Sequence, residues 1–543
     1  MADRPTLVQL GKLVVADVTA GRPGPNSQLV SQFLEAEPEA LLDLLGMLVS
    51  EAGEKRANQK LVTAYAFMFG QALEFARYAV EGGRSEAAKL VERVREQVLE
   101  MARVGQVEPA LLLMILREFA SAKLDPGPEL RGIMDQAMQS LAASAPSPGG
   151  VEAFDGYLEE LVQAVGGDAF DLFTQVQEVV SAFPEDQRAG MTTWLLNSPT
   201  PVAREAALGW LLDGSSSVRN STASAIEHAA ATGGVSGVML RRLIAVRNWL
   251  PDADRMSLDR AIQACRRKNV EISPWPQTQV REVLASGIDG AGAQSIFVLA
   301  REGRRNGIAC ILLKHGIGVR DAWARHGLTR AELDDFVAQV QQIDLLPCSL
   351  DYARIAVAHS LAVNLSSGVM PPFPLLDAME TAGLQGIQPE EISAKAVLSL
   401  VESKADPELL QPRVVNDVLA RSRDLPEDFV FLDSWFEADD EVEHLLGAKQ
   451  LSRAKRVALI RDELLPRRSA KWVERLAWTA LTLQHGEEDE PWEPFFISAK
   501  ELESGRKVSE IPLMAHVAKS TVDAYVASHH EKRSALVNFR TSS

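Results

Sequence analysis

Apolar residues that recur at three- and four-residue steps constrain this chain more than any other feature. Across 85–104, Val91, Val94, Val98 and Met101 form one stripe while Glu92, Arg95 and Glu96 fill the opposite side, the pattern of a helix with one buried face. Similar stripes run through 38–49, 59–80, 154–165, 331–340, 393–401 and 471–483. Start signals agree: Thr329 with Glu332 forms a capping box, and Asp406 stands as N-cap before Pro407 and Glu408. Alternating patterns closed by Asn-Gly or Asp-Gly turns are almost absent. The apolar run from Ile296 to Leu299 fits a strand, but it is short and bounded by alanines, and it reads as helix. The expected class is all-α, a multi-helix stack with more than half of its residues helical and little or no sheet. Three His-Gly pairs, at His315, His326 and His485, each follow an apolar run and read as helix C-terminal caps.

Within this pattern there is an internal repeat. Trp194-Leu195-Leu196-Asn197 is echoed by Trp210-Leu211-Leu212-Asp213, and Val202 by Val218, with turn-formers between the anchors. One short helix and one turn cannot bury an apolar face alone, so such units must stack. The second unit, from Leu211 through Gly214, Val218 and Arg219 to Ala223 and Ile226, resembles a HEAT motif. In that family an Asp closes the turn, a Val-Arg pair opens the second helix and small residues let helices pack closely. The resemblance covers residues 194–231 and implies a local superhelical stack. It departs from the family where Ala203 stands at the place matching Arg219.

Hydrophobic residues at 46% and charged residues at 24% exclude wholesale disorder. Cys265, Cys310 and Cys348 are too few for a disulfide framework and fit a reducing compartment. No apolar run approaches a membrane span of about 18 residues; the stretch 110–116 stops at Arg117. Lys12 and Asp17 interrupt the amino-terminal apolar run, so it does not read as a secretion signal. A cytoplasmic protein that does not enter membranes is expected. Turn-rich breaks at 144–150, 273–276 and 369–374 divide the chain into a helical domain over 1–145, the HEAT-like segment over 151–273, a helical segment over 274–368 that is basic at its start, a helical domain over 369–490, and an extension with one helix over 491–543.

Charge is unevenly placed. Net charge is −18 overall, yet 241–330 carries +8 between 151–240 at −9 and 331–430 at −10. In the basic segment arginines outnumber lysines 14 to 2, which suits planar contacts to carboxylate or phosphate. Either helical layers of opposite charge pair internally, or Arg241, Arg242, Arg247, Arg266, Arg267, Arg301, Arg304 and Arg305 line a groove for an acidic partner. Trp249, Trp275 and Trp323 would then be stacking surfaces. The acidic total opposes binding of a long polyanion.

Catalytic signals are weak. The Gly-rich stretch 286–294 lacks a Gly-Lys-Ser/Thr ending and a preceding strand, so it reads as an inter-helix turn. Cys348, His359 and Asn364 have thiol-protease chemistry, but a helix would spread Cys348 and His359 about 15 Å apart; His359 reads as a packing histidine. Residues 364–374 read as a helix end and a docking polyproline stretch, and the acidic 487–493 as a solvated loop. No residue is assigned a catalytic, cofactor-binding or metal-binding role. The chain reads as a non-catalytic scaffold of stacked helices that binds a protein partner, itself or, as an alternative, nucleic acid. A further alternative is an enzyme with a dispersed site using His359, Asp321 and Arg320.

Overall fold

The computed structural model describes residues 4–19, 24–144, 150–340, 345–447, 451–486 and 491–541. Most of the break expected at 144–150, and of the acidic stretch at 487–493, lies outside them. The chain divides into two compact units, one of residues 1–194 with 528–543 and one of residues 195–527. No helix among the described residues is long and apolar enough to cross a membrane.

In the first unit the described residues form helices without strands. Helix Gln59–Glu81 is central, packing against Arg4–Thr19, Pro25–Ala36, Ala40–Ala52, Ser85–Arg103 and Pro109–Ser121. Its Phe69 meets Phe119 edge to face at 6.2 Å. The stripe at Val91, Val94 and Val98 is buried in the same core, and Met101 packs at its edge.

The second unit opens with short helices. Pro201–Ala206 continues as a 3-10 turn, Ala207–Leu212, followed by Ser216–Ala231, Gly237–Val246 and Asp252–Arg267. Ser216–Ala231 packs on both Ala207–Leu212 and Asp252–Arg267, burying Trp210 and Val218; Val202 is half-buried. Trp194 is half-buried and belongs to the first unit. One side-chain role recurs. Arg204 Nη1 donates to the carbonyls of Ser198 (2.9 Å) and Pro199 (3.3 Å). Arg219 Nη1 donates to those of Asp213 (2.6 Å) and Gly214 (3.0 Å), and Arg255 Nε to that of Leu250 (2.9 Å). Each arginine reaches back over the turn before its helix and satisfies carbonyls that the turn leaves open. Arg204, next to Ala203, thus makes the same kind of turn contact as Arg219.

The expectation of an all-α class with little or no sheet is overturned between 279 and 347. Although 68% of the protein is helical, a five-stranded antiparallel sheet stands here. Its strands are β1 (Gln279–Ser286), β2 (Ala293–Glu302), β3 (Arg305–Lys314), β4 (Gly318–Leu328) and β5 (Leu345–Pro347), in the order β4-β3-β2-β1-β5. The run Ile296–Leu299 lies in β2. Phe297, Leu299, Ile308 and Cys310 face one side, with Leu333 of helix Arg330–Val340 packed on them. Helices Leu350–Ser367 and Leu375–Ala382 also pack on the sheet, and the alternate residues Ile296, Val298, Ala309 and Ile311 are buried too. With both faces covered, the strands carry continuous apolar runs and lose the alternation that marks a half-exposed strand. The β2–β3 turn, Gly303-Arg304, opens on Gly303 at φ +59° and so escapes an Asn-Gly or Asp-Gly search.

The Gly-rich stretch joins β1 to β2 and is not an inter-helix turn. Trp435 Nε1 donates to the Ile288 carbonyl at 2.7 Å and Gly290 N–H to Ser434 Oγ at 2.8 Å. A Cβ on Gly290 would collide with the Ser434 carbonyl, so close backbone packing requires this glycine. Only one His-Gly pair caps a helix: His485 N–H donates to the Leu481 carbonyl at the end of Ser469–Gln484. His315 sits in the β3–β4 turn and His326 on β4. The Thr329–Glu332 capping box is present, with Thr329 N–H donating to Glu332 Oε2 at 2.8 Å. The last helix is Pro512–Thr541.

Candidate functional site

Pro371, Phe373 and all of helix Leu375–Ala382 are buried, so the proline-rich stretch docks and carries this helix into the interior. Two of its acids come with it. Glu380 accepts from Arg241 Nη2 at 2.7 Å and from Arg242 Nη2 at 3.0 Å. Arg242 Nη1 also reaches Glu205 at 2.9 Å, and Arg241 Nη1 donates to the Pro274 carbonyl at 2.5 Å. Arg241 and Arg242 are 7% and 8% exposed. Burial alone would raise the Glu380 pKa, but the bonds from Arg242 and then Arg241 outweigh it and hold it below the ordinary value. Asp377 meets His326 Nε2 at 2.8 Å.

These two arginines therefore face a carboxylate, not an open groove. Arg247 forms a two-pronged pair with Asp259, at 2.5 and 2.8 Å. The other candidates are exposed. Arg266 and Arg267 end helix Asp252–Arg267, while Arg301, Arg304 and Arg305 surround the β2–β3 turn. Arg260 and Arg267 share Glu227 at 3.6 and 3.9 Å. The tryptophans do not offer open stacking faces. Trp249 is buried, Arg241 lies over Trp275 at 5.6 Å, and Trp323 packs edge-on against Phe336 at 5.6 Å.

A separate, mainly apolar pocket lies where the β3–β4 turn meets helices Leu350–Ser367 and Ser469–Gln484. It leaves a cavity of about 20 Å³, inside a depression of about 360 Å³ that includes its open mouth. Tyr352, His359 and Ser360 come from one face of Leu350–Ser367, with Gln294, His315 and Trp478 opposite. Tyr352 donates to Gln294 Oε1 at 2.5 Å and accepts from Thr482 at 2.8 Å. His359 stacks on Trp478 at 4.9 Å, and its Nδ1 accepts from Ile392 N–H at 3.2 Å. In the neutral ring the proton is thus on Nε2. Burial pushes the His359 pKa down, against the field of Glu391. Burial, then the Arg475 charge and His359, push His315 down to about 3. The 3.6 Å approach of His315 Nδ1 to Glu474 is therefore a contact of a neutral ring. Burial in turn raises the Glu474 pKa.

The dispersed set His359, Asp321 and Arg320 is not gathered around this pocket: only His359 lines it, while Asp321 is exposed on β4. Asn364 is structural. Its amide donates to the Ile317 and Val369 carbonyls and its Oδ1 accepts from Val319 N–H, holding the β3–β4 turn. Burial pushes the Cys348 thiol up to about 12, away from the thiolate that nucleophilic chemistry needs. The pocket leaves no local trace in the sequence, because its walls come from strands and helices up to 190 positions apart that only the sheet brings together.

Residues 184–269 match the family model of the Y4lR second domain, and residues 395–526 that of the Y4lR C-terminal helical domain. The chain is 26% identical over 467 residues to the uncharacterized protein y4lR of Sinorhizobium fredii (strain NBRC 101917 / NGR234), an alignment covering 84% of this chain and 88% of that protein. No solved structure matches the chain.

Proposed function

We propose that this chain is a non-catalytic binding module in which a HEAT-like helical stack over 201–267 presents a basic stripe to an acidic protein partner. The observation that carries this reading is the sharing of Glu227 by Arg260 and Arg267. One carboxylate cannot balance two guanidinium groups, and Arg266 and Lys268 are exposed beside them, so an excess of positive charge faces solvent. The recurring arginine-to-turn bonds at Arg204, Arg219 and Arg255 support the stacked-repeat reading. Complementary charge of this kind steers association and selects partners more than it stabilises the fold.

The test is capture of partners from native lysate, with and without nuclease, by the full chain and by a variant carrying Arg260→Glu, Arg266→Glu and Arg267→Glu. The expected result is loss of a nuclease-resistant protein partner with little change in melting temperature. Capture that disappears with nuclease, and whose affinity falls steeply with salt, would assign the stripe to nucleic acid instead. Equal capture by both proteins would overturn the role of the stripe.

A further inference from the structure

We propose that Glu118 is a proton-operated clasp between helices Gln59–Glu81 and Pro109–Ser121, seated in their seam as the neutral acid and released from it as the carboxylate. The seam is built on the edge-to-face pair of Phe69 and Phe119, and beside that pair Glu118 lies over Gly70. A Cβ on Gly70 would overlap Glu118 Oε2, so the carboxyl fills space that any other residue at position 70 would occupy. Glu118 is half-buried, and no hydrogen-bond donor among the described residues reaches its carboxyl. A carboxylate seated there gives up part of its hydration and gains no donor in return, which penalises the charged form.

The surrounding charges do not relieve that penalty, because they hold one another. On the same helix Arg117 pairs with Glu178 of helix Ala169–Val180 at 3.0 Å, so its attraction for Glu118 is opposed by the repulsion of Glu178. On Gln59–Glu81, Arg77 approaches Glu74 at 3.8 Å and grips Glu81 at 2.9 Å. Helix Pro128–Ser144 packs on Pro109–Ser121 as well; its Glu129 pairs with Arg103 at 2.7 Å and its Arg131 with Asp125 at 2.8 Å. Burial, opposed by Arg117 and aided by Glu178, pushes the Glu118 pKa up to about 7. The unfolded carboxyl titrates near 4.5, so the native chain keeps a proton that the unfolded chain has lost. The native advantage is full below about pH 4.5 and is lost as pH rises through about 7.

The experiment follows the full chain from about pH 5 to about pH 8.5 by thermal melting, and by amide exchange of residues 109–121 corrected for the intrinsic effect of pH. The unmodified protein is compared with Glu118→Gln and Gly70→Ala. Glu118→Gln keeps the shape of the neutral acid and cannot ionise. Its melting temperature should move in its favour, relative to the unmodified protein, by several degrees as pH rises across the series. Residues 109–121 should stay protected in it where those of the unmodified protein exchange faster. Gly70→Ala displaces the flexible carboxyl toward water, and its melting should lose the same part of the pH dependence. Should Glu118→Gln not fold, Glu118→Met, equally uncharged, is measured in its place with the same expectation. A constant gap between the unmodified protein and the uncharged variant would overturn the proposal. A gap that grows in favour of the unmodified protein would also overturn it, since that is the sign of a lost ion pair with Arg117. Full pH dependence in Gly70→Ala would overturn the seat over Gly70.

Discussion

Arg241 and Arg242 lie about 25 positions from Arg266 and Arg267, in one basic segment, and the two pairs do opposite work. The first pair is buried on helix Gly237–Val246, gripping Glu380. The second stands in solvent at the end of Asp252–Arg267, where Arg267 shares a distant carboxylate. A buried guanidinium holds the fold together because removing its partner strands a charge in low dielectric. An exposed one is screened and contributes little to stability, which leaves it available for association. The difference is set by where a complementary acid falls in space, and Glu380 is 138 residues from Arg242 in the chain. The net charge of a segment averages over both roles.

The largest expected effect breaks the buried side of this contrast. Glu380→Ala removes the carboxylate from two guanidinium groups at once and should destabilise the protein by about 3–5 kcal/mol, as removal of one partner of a buried pair does. Urea denaturation checks it. Glu205 still holds Arg242 at 2.9 Å, so the lower end of that range is the better expectation. A loss below about 1 kcal/mol would mean that water reaches these arginines and that they belong with the exposed set.

Asp254 tests whether the same logic operates inside the helical stack. It accepts from Arg219 Nε at 2.8 Å and Nη2 at 2.6 Å, and from Asn220 at 2.8 Å. Burial would raise its pKa, but the bonds from Ser216 and Arg219 outweigh burial and lower it. Asp254→Asn should cost about 2–3 kcal/mol at neutral pH, as hydrogen bonds to a buried charged group do. The sign with pH is fixed by the lowered value. The unfolded carboxyl titrates near 3.8, so the native advantage is fully present above that and is lost as pH falls through the folded value. The gap between Asp254→Asn and the unmodified protein should therefore close below about pH 4 in melts across a pH series. A gap that stays constant to pH 2 would show that shape, not charge, sets the cost.

These sites also show what the linear sequence could carry. The helices were legible because each announces itself locally: Val91, Val94 and Val98 mark a face within two turns, and Thr329 with Glu332 marks a start. The turn before Arg219 was legible from Gly214 and the serines that follow it, whereas the matching contact of Arg204 was not, because it stands one residue from the position that a 16-residue step marks. The sheet was hidden because β2 and β3 are apolar on both faces and their turn uses Gly303-Arg304. The pairing of Arg241 and Arg242 with Glu380 was hidden for a different reason. A contact between positions 138 residues apart leaves no periodic trace. The pocket inherits both difficulties, since Trp478 and Gln294 meet only once the sheet and two helices are assembled.

Arg247 offers the smallest effect and the sharpest discrimination, because it stands between the two extremes. Its pair with Asp259 has the two-pronged geometry of a buried bridge, yet the side chains are 37% and 34% exposed. If geometry governs, Arg247→Met should resemble Glu380→Ala in size. If exposure governs, it should cost only about 0–1 kcal/mol, because water and ions already screen the pair. Exposure is the expected winner, and salt separates the two cases. At 1 M salt, where the screening length is about 3 Å, the cost of Arg247→Met should vanish while that of Glu380→Ala persists. A salt-insensitive loss at Arg247 equal to that at Glu380 would erase the contrast: the bidentate bond itself, not burial, would then decide which arginines of this segment stabilise the fold.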